Sequence, residues 1–520
     1  MMMNRDSRMK LRSLLLVGVT ALAIVAGAPF AGAQTDGEPE VAPAVWPDTP
    51  AGRWGRVFFE AYNAEGEDAL RRFIKEHYSE EYLKETPIEQ ELANGPLRIR
   101  RLVGRIAVHS ASAQGDFTIE AIVKTEKFGW AKFRIALSPE PPHDLIGMGP
   151  YATTRPPEDA TSGELTPTGE EPEEYSDWKD LRDLLEQVRR DSGAPGMAAA
   201  IVHRGKIAVK AAIGLRRFDR SDRVQLGDRW HIGSVTKTFT GTMIAKLIGN
   251  GVLRWDMTVG ETLHDIPMNS EYRSVTLEQL LGHRGGVPCV PSSGEFAVGS
   301  AVDSGRSPAK ARAALVRQVL SEKPDGIGEY TYSNAGYVVA AYMAERVAKR
   351  TWEELMRTLV FEPLELRSAG FGWPATADRS NQPHGHYNVA PNLKVQEIGR
   401  FEVLDMDAYS PAGNLHCSIE DLASYAAFHL RVLNDRDSAL KAETVPRFWR
   451  GGKTDDGERR YGFFGSGGTF MAMIAVYPDS DLAVVAATNY GLPAMSYLEK
   501  MRDAIHRRLT RTPDTCPAGD

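Results

Sequence analysis

The 520-residue chain has only three cysteines, Cys289, Cys417 and Cys516. Three thiols form at most one pair, so a disulfide framework does not hold this fold together. A basic excess is also missing: 62 Lys and Arg stand against 69 Asp and Glu, a net charge of −7. A general nucleic-acid binder needs the opposite balance to displace counterions from phosphates. The aromatics form no basic, stacked array of the kind that holds single strands. After the first 33 residues no apolar run is long enough to cross a bilayer. Neither G-x-S-x-G nor H-E-x-x-H occurs, which removes the α/β-hydrolase elbow and the zincin site. His384-Gly385-His386 has no acidic or third ligand nearby and reads as a loop, so neither a metal nor an organic cofactor is expected.

What is present suits a soluble globular chain. Hydrophobic residues make up 42% and charged residues 25%, which excludes collagen-like and wholly disordered classes. The length accommodates several domains with sizeable cores. Arg5, Arg8, Lys10 and Arg12 precede an apolar stretch from Leu14 to Ala28, and Ala31-Gly32-Ala33 follows. That is the pattern of a signal peptide over 1–33, cleaved before Gln34. It predicts an exported protein, periplasmic or secreted, with an uncleaved N-terminal anchor as the alternative.

Residues 34–50 are rich in Pro, Ala and acids and read as a linker. Over 51–150, Trp54, Val57, Phe58, Tyr62, Leu70, Phe73 and Ile74 recur at helical spacing. Strand-like segments follow at Leu97–Val108, Phe117–Lys124 and Trp130–Leu137. Helices followed by an antiparallel sheet predict a small α+β accessory domain. It resembles the cone-shaped nuclear-transport-factor-like fold and carries no catalytic constellation. Residues 151–177 hold four prolines among many acids and predict an extended linker.

The large domain spans 178–510, with a tail at 511–520. A helix over Leu181–Arg190 precedes a hairpin, Met197–His203 and Ile207–Ile213 around Arg204-Gly205-Lys206. Helical patterns fill most of 234–440. A second hairpin, Thr469–Val476 and Leu482–Thr488, turns at Pro478-Asp479-Ser480-Asp481, and a helix ends the domain. Strands at both ends with helices between predict an α+β fold: one antiparallel sheet with a helical insert.

Five S-x-x-K tetrads occur, beginning at Ser7, Ser176, Ser234, Ser307 and Ser438. Only Ser234 opens an apolar-periodic helix, with Val235, Phe239, Met243 and Leu247 every four residues. At i and i+3, Ser234 and Lys237 share a face at the positive end of the helix dipole. A serine hydroxyl needs a base to become a nucleophile, and a lysine withdrawn from water supplies one. The competing reading is an ordinary N-cap serine beside a solvated lysine. Tyr332-Ser333-Asn334 is the chain's single Y-x-N. Alternate residues on a tight loop point one way, so a phenol for proton transfer and an amide for a substrate carbonyl face one cleft. The competing reading there is a buried tyrosine and a loop-capping asparagine.

With these motifs the chain resembles the serine β-lactamase and penicillin-binding-protein superfamily, on its class C β-lactamase, D-alanyl-D-alanine carboxypeptidase and esterase branch. The resemblance runs from about Pro195 to Asn489. It includes the segment from Trp230 to Thr240 around the tetrad, Leu280-Leu281-Gly282-His283-Arg284-Gly285-Gly286-Val287-Pro288, Ser410-Pro411-Ala412-Gly413-Asn414 and Glu420-Asp421-Leu422-Ala423. In the second of these Gly285 stands where the family commonly has Ser. The resemblance implies a β-lactamase/transpeptidase-like domain. It implies Ser234 as the acylated nucleophile, Lys237 and Tyr332 as the acid/base pair, and Asn334 as a substrate contact. The oxyanion hole would use the N–H of Ser234 and one from the last core strand.

The family's third element is a base, any residue, then Gly on that strand. Here Phe463-Phe464-Gly465 is followed by Ser466, with Ser466-Gly467-Gly468 as an alternative register. Gly465 permits close approach and Ser466 offers its N–H. Phe463 stands in place of the base that binds substrate carboxylates and tunes neighbouring hydroxyls. Its presence weakens the case for β-lactams and D-alanyl peptides, both anionic, and favours a neutral ester or amide; the expected partner is a small-molecule ester or amide or a peptide substrate. The alternative is a catalytically weak penicillin-binding-like protein that holds cell-wall peptides or a partner. The sequence carries no signal for oligomeric state.

Overall fold

The computed structural model describes residues 45–152 and 179–510, except 79–82, 84–87, 95, 98–99, 101–103, 114–115, 127–128, 138–144, 292–305, 390–391, 397–405 and 455. The expected signal peptide, most of the 34–50 linker, nearly all of the 151–177 linker and the 511–520 tail lie outside the described residues. The chain divides into two compact units, Met1–Thr166 with Asn388–Lys394, and Pro167–Tyr387 with Val395–Asp520.

The first unit begins with helix α1, Pro50–Asn63. The Thr49 hydroxyl accepts the N–H of Gly52 at 3.1 Å, and Pro50 sits where the helix needs no N–H donor. Helix α2, Asp68–His77, and helix α3, Ile88–Asn94, follow. Strands β1 (Ile106–Ala113), β2 (Thr118–Thr125), β3 (Gly129–Leu137) and β4 (Leu145–Ala152) form an antiparallel sheet in chain order. Trp54, Phe58, Phe59 and Tyr62 of α1 form one core with Phe73 and Ile74 of α2 and with Ile119, Val123, Phe133 and Ile135 of the sheet. The strand expected over Leu97–Val108 starts only at Ile106; residues 96, 97 and 100 are helical. Gly104, at φ +73°, turns the chain out of that helical stretch, a conformation open to glycine.

The second unit opens with α4, Lys179–Ser192, then β5 (Gly196–His203) and β6 (Lys206–Gly214). Arg204 and Gly205 both take positive φ, 52° and 76°, as a two-residue hairpin turn requires. Strand β7 (Arg229–His231) leads through a 3₁₀ turn at Gly233–Val235 into helix α5, Thr236–Gly249. The insert continues with α6 (Pro308–Ser321), α7 (Asn334–Ala348), β8 (Gly370–Phe371), β9 (His386–Val389), β10 (Asn392–Val395), β11 (Leu415–Ser418) and α8 (Ile419–Leu433), with Asn388–Lys394 of β9 and β10 grouped with the first unit. Then come β12 (Arg450–Lys453), β13 (Arg459–Ser466), β14 (Met471–Tyr477), β15 (Leu482–Thr488) and α9 (Met495–Thr510).

The main sheet is antiparallel in the order β12-β13-β14-β15-β5-β6. Strands β5, β14 and β15 are buried along almost their whole length, so both faces are covered. Helix α8 lies along β14, β15, β5 and β6, while α4 and α9 pack on each other and on the sheet. The expected sheet with a helical insert is present, with two differences. The insert carries a small sheet of its own, β7-β11-β8, and the edge beside β13 is β12, which the sequence reading had not assigned.

Helix α5 departs from the amphipathic expectation. All its residues from Thr236 to Ala245 are buried, not one stripe. Its hydroxyls are satisfied inside: Thr240 Oγ1 donates to Pro411 O at 2.7 Å, and Thr242 Oγ1 bonds Thr238 O, Tyr425 Oη and His429 Nε2. A central helix positions its first turn more rigidly than a surface one. Elsewhere in the insert Arg312, fully buried on α6, pairs with Glu345 of α7 at 2.6 Å and with Glu353 at 2.9 Å. Glu345 also accepts the N–H of Trp352 at 2.7 Å, so this buried charge is compensated.

Candidate active site

Four segments meet around Ser234. The first is the 3₁₀ turn Gly233–Val235 at the head of α5. Ser234 makes no capping bond to the helix. Its Oγ instead accepts from Tyr332 Oη at 2.7 Å and lies 3.1 Å from Lys237 Nζ. Neither the N-cap serine nor the solvated lysine is therefore what the chain forms, since Lys237 is 0% exposed.

The second segment is the loop into α7. Ser333 caps that helix by accepting the N–H of Gly336 at 2.8 Å, and its hydroxyl donates to Pro288 O at 3.0 Å. Its backbone N–H donates to His283 Nδ1 at 3.0 Å, while Thr331 N–H donates to His283 O at 2.8 Å. His283, in the left-handed region at φ 57°, thus grips both sides of Tyr332, and its ring lies 4.6 Å from the tyrosine ring. Burial, with help from Lys237 and Arg450, keeps His283 well below the usual histidine range and so neutral. Its place in the motif reads as support for the loop.

The third segment is the short helix Ser410–Gly413. Ala412 O accepts from Lys237 Nζ at 2.7 Å, and Asn334 Oδ1 does so at the same distance. Both of these partners are carbonyl oxygens, which only accept. Burial lowers the lysine from its ordinary 10.5 to about 7; nearby Cys289 opposes this and Arg450 adds to it. A neutral amine has two N–H bonds and one lone pair. The two carbonyls engage the N–H bonds, which leaves the lone pair for Ser234 Oγ. Tyr332 is pushed far above the usual phenol range, chiefly by burial; Ser234 and Arg450 act the other way. It is a proton donor at neutral pH.

The fourth segment is the end of β13. A Cβ on Gly465 would lie 2.0 Å from Ile232 O and 2.7 Å from Ser234 N. A Cβ on Gly233 would meet Ser466 N at 2.4 Å. The strand and the nucleophile turn therefore touch backbone to backbone, which sets the register at Phe463-Phe464-Gly465. Ser466 presents its backbone there, since its hydroxyl donates to Phe470 O and accepts from Gly468 N–H in the adjoining turn.

The structure thus brings Ser234, Lys237, Tyr332, Asn334, Gly465 and Ser466 together. Phe463 is 4% exposed and belongs to the main core. Two side chains at the site were not singled out from sequence. Cys289 Sγ accepts from Asn334 Nδ2 at 3.5 Å. Arg450, on β12 opposite Gly462, places its guanidinium 5.2 Å from the Tyr332 ring centre and 5.4 Å from that of Phe463. No sequence signal marked it, because Arg450-Gly451-Gly452-Lys453 has little strand character. Among the described residues no disulfide links Cys289 or Cys417. Among the described residues no group of three potential metal ligands occurs, and no helix is long and apolar enough to cross a membrane.

Comparison with known proteins agrees with this fold. The Beta-lactamase family matches residues 181–506, and the chain belongs to that family. Penicillin-binding protein 4 of Amycolatopsis lactamdurans is 24% identical over 361 residues, 64% of this chain and 90% of that protein. Protein flp of Staphylococcus aureus (strain N315) is 24% identical over 249 residues, 48% of each chain. Among solved structures, the octameric penicillin-binding protein homologue from Pyrococcus abyssi superposes with a TM-score of 0.54 at 21% identity, covering 65% of this chain and 79% of that one. The D-amino acid amidase from Ochrobactrum anthropi SV3 gives 0.52 at 16% identity, covering 64% and 99%. At these identities the structural likeness is one of fold.

Proposed function

We propose that this protein is an exported serine hydrolase that cleaves an ester or amide through an acyl-enzyme on Ser234. One observation carries the reading: Ser234 Oγ lies between the Tyr332 hydroxyl at 2.7 Å and the buried amine of Lys237 at 3.1 Å. Neutral Lys237 takes the Ser234 proton as Oγ bonds to the carbonyl carbon. The N–H groups of Ser234 and Ser466 hold the oxyanion. Tyr332 protonates the leaving oxygen or nitrogen, and the proton held on Lys237 then restores the phenol. Water enters on the same side and releases the acid by the reverse relay. Asn334 fixes the lysine through Oδ1 and offers its amide to the substrate. Export rests on the charge and hydropathy pattern of residues 1–33.

The test is turnover of p-nitrophenyl esters, with intact mass after a fluorophosphonate. Wild-type protein gains one adduct and releases nitrophenolate. Ser234→Ala takes up no adduct and loses at least about a thousandfold in rate, the order seen when a nucleophile is removed. Equal turnover by both proteins would reject the reading.

A further inference from the structure

Among the described residues, Arg450 is the one cation of the site not accounted for. Its guanidinium lies over three rings, with Cζ 5.8 Å from the centre of Tyr330, 5.2 Å from Tyr332 and 5.4 Å from Phe463. Nη2 donates to Tyr330 Oη at 2.5 Å. Nε is buried without a hydrogen-bond partner, and no carboxylate pairs with the side chain among the described residues. A guanidinium left without a counter-ion in a half-buried position is costly unless something stabilises it or needs it. Here aromatic faces do the first, and one of those faces is Tyr332.

We propose that Arg450 is an electrostatic positioning residue for Tyr332, supplying from strand β12 the positive charge that position 463 lacks. The role rests on the acyl-transfer reading above. When Tyr332 gives its Oη proton to the leaving atom, the bonding electron pair stays on the phenol oxygen and spreads into the ring. A cation over that ring gains attraction as the charge grows. The other groups facing Tyr332 are Ser234, Lys237, His283, Tyr330, Tyr337 and Cys289. His283 is neutral, and Lys237, close to neutral at pH 7 at rest, is charged only while it holds the proton taken from Ser234. Arginine keeps its charge at any working pH. It is therefore the standing positive charge among these groups, and Phe463 completes the aromatic clamp that holds it.

The proposal is tested with Arg450→Met, Arg450→Lys and the double variant Arg450→Met/Phe463→Lys, on ethyl and p-nitrophenyl esters of one neutral acid. An ethoxide leaving group needs the Tyr332 proton and a nitrophenolate does not. Arg450→Met should lower kcat on the ethyl ester about tenfold or more with KM unchanged, and lower it less on the p-nitrophenyl ester. Lysine at 450, or at 463 in the double variant, should recover part of the loss. Equal losses on both esters would make the residue structural. A rise in KM confined to a carboxylated ester would make it a substrate anchor. Either result overturns the proposal. A readout independent of turnover is ¹⁹F titration of 3,5-difluorotyrosine placed at 332. Its phenol should titrate about one unit higher without Arg450, and an unmoved titration counts against the role even if the wild type proves to hydrolyse nothing. Failure of the hydrolase reading itself shows separately, as absence of a Ser234 adduct on the wild type.

Discussion

Lys237 spends folding stability to be what it is. Unfolded, its amine titrates near the ordinary 10.5; folded, near 7. Between those values the unfolded chain binds more protons than the native one, so stability rises with pH. Relative to Lys237→Met, the wild type should gain up to about 1.4 kcal/mol per pH unit from pH 7 toward pH 10, and nothing further below pH 7. Urea unfolding of the two proteins at a series of pH values measures this; parallel curves would mean that the native lysine is charged. The tetrad and the Y-x-N loop were legible because each is local, with i,i+3 spacing on a helix and alternation on a tight loop. The Ser410–Gly413 segment was marked by the resemblance but without a role for Ala412, while Cys289 and Arg450 were not marked at all, because each reaches the site through a long-range contact that leaves no pattern in its own neighbourhood. Arg450 also alters the inference drawn from Phe463: the charge absent at that position is present one strand away.

Among the elements, the contact between β13 and the Gly233–Val235 turn is the least tolerant. Gly465→Ala sets a methyl against Ile232 O and Ser234 N, backbone atoms with no rotamer to change. The turn must shift, and with it the N–H groups proposed to hold the oxyanion. We expect kcat to fall about a hundredfold or more and stability to fall by about 1–3 kcal/mol, read by ester turnover and thermal unfolding. Wild-type turnover in this variant would mean that the strand does not form the oxyanion site. The hairpins, the terminal helices and the sheet with its insert were visible in hydrophobic period and turn residues. The β12 edge was not, since two glycines in four residues erase strand propensity. The full burial of α5 was hidden too, because its threonines read as a polar face until Thr242 and Thr240 found partners inside.

At the scale of the whole molecule, each unit has its own hydrophobic core, and every residue assigned to the site lies in the second. A chain of residues 167–520 should therefore fold alone and hydrolyse p-nitrophenyl esters within about twofold of the full protein. Circular dichroism melting and steady-state kinetics on the two proteins check it; an unfolded or inactive fragment would mean that the first unit completes the enzyme.

The pairing of β5 with β15 has a consequence for how the protein is made. Gly196 N–H donates to the side chain of Asn489, 293 residues further along. A ribosome must add that whole intervening stretch before the open side of the β5–β6 hairpin meets its neighbour. Until then Gly-Met-Ala-Ala-Ala-Ile-Val-His is an apolar strand with a bare row of amides and carbonyls, the kind of edge that recruits other chains. Synthesis of this protein places a long interval between the birth of that edge and its closure.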